Sequence, residues 1–281
     1  MSAVRAGRRA LLAVVGLFLA AAALVAVTVP FHATDALIYG RWSRLIELGD
    51  GIHFDGIGPG FLHRPLVYVV QGGLWDVFGF HEWLGRVWAL AFTVVLVWAV
   101  WRVAASDRGG ALAGAIAAAL LVCSPDVVVL AASGLTDVPV AAMVALAGAL
   151  ALWPGTPAGR RRAGLAAGIA VAAALAGLAK PSAFTALGGL FGALAIGDRA
   201  GLRDRLLWRG APLALGGLVA LAWDAREAAR LDTGLVSFLQ GAEGTVSESV
   251  VALYGQLNAQ SRGSFVAGME WLGPYLVLPL L

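Results

Sequence analysis

The side chains best suited to chemistry stand at the edges of long apolar stretches. Asp35 directly follows the first stretch, and Thr34 is placed to cap a helix beginning there. A carboxylate at this position stays near the membrane surface, and partial burial would raise its pKa towards that of a general base. As a plain helix-start aspartate it would remain solvated and inert. Asp137, within Leu135-Thr136-Asp137-Val138-Pro139, is either a functional charge at a helix end near lipid or the N-cap of the helix that follows. Lys180, followed by Pro181, is the single lysine among 20 basic residues. Its ammonium suits an anionic head group or a substrate phosphate, and equally suits snorkelling to water. In His63-Arg64-Pro65-Leu66 a guanidinium lies beside a helix start, where a phosphate is gripped bidentately and by free backbone N–H groups. Read otherwise, Arg64 anchors that helix at the interface.

All four histidines, His32, His53, His63 and His81, fall in one loop beside Asp35, Glu47, Asp50 and Asp55. Local composition admits a divalent metal, but no His-x-x-x-His pair or similar spacing supports one. The same cluster reads as the polar residues of a solvated loop. Cofactors are not otherwise indicated.

The elements that must position these residues follow from composition. Hydrophobic residues make up 60% of the 281 and charged residues 13%, with a mean hydropathy of +0.83, which excludes a soluble domain with a polar surface. The expected fold is an all-α integral membrane protein, a single module over residues 1–281. Apolar runs predict helices at about 10 to 30, 84 to 104, 110 to 131, 138 to 153, 163 to 179, 183 to 197 and 210 to 225, seven spans with an eighth starting near 271. That last run stops too soon to span, so further chain is expected beyond Leu281, shaping an acceptor site. Arg5, Arg8 and Arg9 before a run of about 20 apolar residues read as an uncleaved first helix, since a signal core is shorter. Cys123 lies alone in an apolar run, which excludes a disulfide framework and suggests packing.

With a cytoplasmic amino terminus, the cytoplasmic segments carry twelve basic residues against three acidic ones, and the other side seven against fourteen, Arg86 standing near a boundary. The positive-inside rule therefore favours one alternating topology in a cell membrane. Arginines clustered between apolar runs are orientation signals, so nucleic acid is not a partner. Two long extracytoplasmic loops result, residues 31–83 and 226–270. The first is expected to hold an interfacial helix around Leu37 to Glu47, a Gly-rich link at 49 to 60, and a second interfacial helix at 65 to 80 opened by Pro65. Trp42, Trp75, Trp83 and Trp88 suit an aromatic belt.

The order of these features resembles the C-type membrane glycosyltransferases, and within them the branch of the protein O-mannosyltransferases and the lipid A aminoarabinose transferase. The resemblance rests on Asp35 with Tyr39 four residues on, the Gly49-Asp50 turn, His63-Arg64-Pro65-Leu66, an aromatic amphipathic stretch with Arg86, Thr136-Asp137-Val138-Pro139 and Ala179-Lys180-Pro181, and covers about residues 10 to 200. It implies transfer of a sugar, with inversion, from a polyprenyl-phosphate donor to an extracytoplasmic protein, lipid or glycan. Asp35 would be the catalytic base, Arg64 and Lys180 would stabilise the leaving phosphate, Asp137 would position the acceptor or Lys180, and His63 and Tyr39 would line the substrate site. Many relatives carry two adjacent acidic residues where this chain has Asp35-Ala36, which weakens a metal-assisted mechanism. The competing readings are a transporter or flippase for a lipid-linked or anionic substrate, and a non-catalytic scaffold in the bilayer.

Overall fold

In hydrocarbon a backbone N–H or C=O finds no water, so an apolar segment satisfies these groups within itself, as helix. The computed structural model describes residues 2–28, 43, 65–106, 110–133, 136–153, 159–196 and 201–230, which all belong to one of the two units of the chain. Among the described residues all regular structure is helical. The helices are α1 (Ser2–Thr28), α2 (Leu66–Phe78), α3 (Glu82–Ala105), α4 (Gly110–Val122), α5 (Pro125–Ser133), α6 (Asp137–Ala151), α7 (Gly159–Ala179), α8 (Ala183–Ile196), α9 (Leu202–Arg205) and α10 (Ala211–Arg230). A π-helical turn, Leu206–Gly210, joins α9 to α10 without a break.

Three helices are long and apolar enough to cross a membrane by themselves: Trp83–Ala105, Gly159–Ala179 and Leu202–Ala229. The expected single helix at 110 to 131 is instead a pair, Gly110–Val122 and Asp126–Ala132, bent by 69° and counting as a fourth span if the two halves are one. Pro125 is the physical reason for the break. It has no N–H to give, and it drives Ser124 out of the helical region, so the Ser124 carbonyl starts a new helix by accepting from Val127 and Val128. Cys123 stands exposed at this break, which corrects its reading as packing. Of the other expected spans, α1 has an apolar part of Arg9–Leu24, while α6 and α8 have 15 and 14 residues. Such lengths fall below the roughly 20 residues of a straight crossing.

Small residues let the helices approach closely, as packing in lipid requires. The principal core is built from Ala142, Ala147 and Ala151 of α6, Ile169, Ala172, Ala173 and Ala176 of α7, and Ala183, Leu187 and Leu213. The main packed pairs are α1 with α4, α4 with α3, α3 with α6, α6 with α7 and α7 with α10. Phe18 and Ala22 of α1 meet Ala131 of α5, while Leu12, Leu17 and Leu24 face outward, as they can where lipid is the solvent.

At Gly216 α10 approaches α7 too closely for any side chain. A Cβ there would stand 2.6 Å from the Cβ of Ala173 and 2.8 Å from the Ala174 nitrogen, and would also meet the Ala170 carbonyl. Gly216→Ala should therefore push the helices apart and lower stability by about 1–3 kcal/mol. The check is thermal unfolding in detergent, with Gly164→Ala as the control, because nothing lies within 4 Å of Gly164. An unchanged midpoint for Gly216→Ala would show that the two helices do not meet here.

The second expected interfacial helix is α2, which follows Pro65 and accepts its first bond at the Pro65 carbonyl from Val69, 2.9 Å away. It packs across α3 and α7, burying Val67, Tyr68, Gln71, Gly72 and Trp75. Gly79, at φ +80, turns the chain into α3, and the Trp75 indole N–H donates to the His81 carbonyl at 2.9 Å to hold that turn. Trp75 and Trp88 are buried in protein, which corrects the aromatic-belt reading for both; Trp83 is exposed. On a helix that is apolar all round, periodicity does not tell a lipid face from a protein face.

Candidate active site

Lys180 and Asp137, 43 positions apart, meet at one end of the described unit: Lys180 Nζ donates to Asp137 Oδ1 at 2.7 Å. The local reasons are plain. α7 ends at Ala179, just before Lys180, because the residue preceding Pro181 is disfavoured in the helical region. The Lys180 N–H still donates to the Ala176 carbonyl at 3.2 Å, which fixes where the side chain leaves the helix. Asp137 opens α6, where the unsatisfied N–H groups of a helix start favour a carboxylate. Antiparallel packing of α6 against α7 brings the two ends together. Asp137 is the first residue of α6 and not its cap; Thr136 holds the cap position but makes no side-chain capping bond.

Side-chain exposures of 37% for Lys180 and 45% for Asp137 decide how the pair is to be read. An ion pair this open contributes about 0–1 kcal/mol to stability, so its effect is to hold an ammonium in one place. Two of that ammonium's three donors remain for a ligand. Beside the pair, the Thr136 hydroxyl is 1% exposed and has no hydrogen-bond partner among the described residues.

Other polar residues accumulate at the same end. α7 and α10 run parallel, with Arg162 against Trp208 near one end and Gly216 against Ala170 and Ala173 further along. Continuing that register brings Asp224 to the level of Lys180. Asp224 and Glu227 are both buried, as are Arg86 near the start of α3 and Gln71 of α2. Thr93 is the buried polar residue deeper in α3, and its hydroxyl is satisfied by the Ala89 carbonyl at 2.9 Å.

An apolar groove of about 280 Å³ lies between α8 and α10, lined by Phe184, Leu187, Gly188, Phe191, Leu213, Ala214 and Gly217. It starts one helical turn past Lys180, where the Phe184 N–H donates to the Pro181 carbonyl at 3.0 Å. A held cation and an apolar trough that begins one turn later in the chain together suit an amphiphile with an anionic head and a hydrocarbon chain.

Of the residues expected at the site, the structure brings together Asp137 and Lys180. Asp35, Tyr39, His63 and Arg64 lie outside the described residues, as do His32, His53 and the interfacial helix expected around Leu37. His81 is described, and its ring stacks on Trp83 with centroids 5.9 Å apart. Among the described residues no three His, Cys, Asp or Glu side chains gather as metal ligands would.

Asp224 and Glu227 are buried carboxylates that composition does not mark: Asp224 falls at the end of the apolar run expected at 210 to 225, and Glu227 in the stretch expected as loop. Their signal is a stripe: Leu213, Gly216, Ala220, Asp224 and Glu227 recur at the three- and four-residue spacing of one helical face. That face is the one α10 buries, and it carries two carboxylates into the interior.

A family model described as dolichyl-phosphate-mannose-protein mannosyltransferase matches residues 62–223, more than half of the chain. The matched stretch contains Asp137 and Lys180 and stops one residue before Asp224. Among curated proteins and solved structures none matches the chain.

Proposed function

The chain belongs to the dolichyl-phosphate-mannose-protein mannosyltransferase family, and from that premise we propose that it moves a sugar from a polyprenyl-phosphate donor to a hydroxyl or phosphate acceptor outside the cytoplasm. The observation that carries this reading is the Lys180–Asp137 pair, beside which stands the apolar groove whose first lining residue, Phe184, follows Lys180 by four positions in the chain. A polyprenyl chain fits the groove by its chemistry, and the donor's phosphate then meets the ammonium.

In the proposed reaction Asp35 takes the acceptor proton as the acceptor oxygen attacks the anomeric carbon. The bond from that carbon to the lipid phosphate breaks on the opposite face, so configuration inverts. The phosphate leaves with the electron pair, and Lys180, held by Asp137, stabilises its charge together with Arg64. His63 and Tyr39 line the substrate site beside them. The arginine-rich loops and the amino terminus face the cytoplasm in this reading, by the positive-inside rule, in a cell membrane.

Reconstitution in vesicles with radiolabelled polyprenyl-phosphate sugar tests the proposal. Label should pass to an added acceptor and free polyprenyl phosphate should appear in equal amount. Label that enters the lumen still bound to its lipid would establish the transport reading instead, and label that stays put would leave a scaffold. Transport has little support in the helices. α4 and α8 carry no ionisable side chain, and in α6 and α7 such side chains stand in the first turn and not through the middle.

A further inference from the structure

At the end away from Asp137, α3 closes on Arg102, α7 opens on Arg160, Arg161 and Arg162, and α9 carries Arg203 and Arg205. Among the described residues Arg102, Arg160, Arg161, Arg162, Arg203, Arg205 and Arg209 fall there, with Asp204 as the described acid. Retention of positive charge on one side of a membrane explains why arginines occur in these loops. It does not explain how they are held. The Arg102 guanidinium lies 4.4 Å over the ring of Trp153, and the Trp153 carbonyl accepts from Arg209 Nη2 at 2.9 Å. Arg162 lies 4.2 Å over the ring of Trp208 and also pairs with Asp204. Two indoles and one carbonyl thus tie the ends of α3, α6, α7 and α9 into a single patch.

A guanidinium over an indole face still directs N–H donors past the ring to an anion, as Arg162 does to Asp204. Arg205 and Arg209 follow one another by one turn across the π-helical segment, a distortion often found where a helix serves a ligand. Like charges held this close favour an anion between them. Trp153 and Trp208 are both partly exposed, as indoles at the boundary of head group and acyl chain are. Leu207, next to Trp208 in the chain, and Ile196, at the end of α8, are exposed hydrocarbon.

We propose that this end of the protein is a binding site for an anionic phospholipid. Arg205 and Arg209 take its phosphate, the two stacked indoles sit at head-group depth, and the acyl chains lie along Leu207 and Ile196. The site is independent of sugar transfer, so it stands or falls separately from the enzymatic reading.

The test uses the full chain in detergent, titrated with phosphatidylglycerol or with phosphatidylcholine of the same acyl chains, and reads thermal stability together with lipid retained in native mass spectrometry. Phosphatidylglycerol should bind at least tenfold more tightly. Arg205→Gln with Arg209→Gln should weaken it about ten- to thirtyfold, whereas Arg9→Gln on α1 should leave it unchanged. Arg205→Lys with Arg209→Lys keeps the charge but not the fork, should lose severalfold, and decides the matter if the glutamine variant does not fold. Equal binding of the two lipids, equal stabilisation by free glycerol phosphate, equal loss in Arg9→Gln, or full affinity in the lysine variant would each overturn the proposal.

Discussion

Asp35→Asn is expected to lower the rate of sugar transfer by about 10²–10⁴, with expression and thermal stability unchanged. Asparagine keeps the size and the hydrogen-bonding shape of the side chain but cannot take up the acceptor's proton. Loss of a general base costs about 3–5 kcal/mol in the barrier. If Asp35 were a helix-start aspartate only, the same substitution would cost about 0.3–1 kcal/mol of stability and leave the rate alone. The two readings therefore differ in size and in the quantity affected. Initial rates in membranes with saturating donor, beside a melting curve, separate them, and transfer at half the wild-type rate or better would remove Asp35 from the mechanism.

The second large effect concerns the ion pair. Lys180→Gln is expected to reduce kcat by about 10²–10³, the cost of removing one preorganised charge from a developing anion. Asp137→Asn should do less, about tenfold, because the ammonium survives but is no longer held by a carboxylate at 2.7 Å. If Asp137 acts through Lys180, the double variant should be no slower than Lys180→Gln alone. Multiplying effects would instead give Asp137 a contact of its own with substrate. Since both side chains are more than a third exposed, neither change should shift stability by more than about 1 kcal/mol.

How much of this was legible in the sequence differs from residue to residue. The helical core of α3 and α7 follows from run length, because an apolar segment of that length has no other stable form in lipid. Asp137 and Lys180 could be put on one side of the membrane by charge arithmetic, and Asp137 could be suspected of positioning Lys180. That they touch depends on how α6 packs against α7, which neither run encodes by itself. Pro125 announced the break between α4 and α5, but the continuous apolar composition on both sides masked it. At α10 the local composition pointed to a loop after about residue 225, whereas the helix continues to Arg230 because its buried stripe does. Trp75 and Trp88 show the limit of composition most clearly: amphipathic indoles fit a membrane boundary and a protein interior equally well, and tertiary contacts decide. For Asp35, Tyr39, His63 and Arg64 the sequence remains the source of the assignment.

The close seat of Gly216 on α7 has a mechanical consequence for the helix that carries it. Each residue advances an α-helix by about 100°, so a rotation of α10 that put Leu215 in the place of Gly216 would turn a much larger side chain into the Ala170 to Ala174 ridge. The same rotation would carry Asp224 and Glu227 towards hydrocarbon. Steric fit at Gly216 in one sense of rotation and the two buried carboxylates further along thus set the angle at which α10 lies on α7. A helix keyed in this way resists turning about its own axis, so α7 and α10 move as one body.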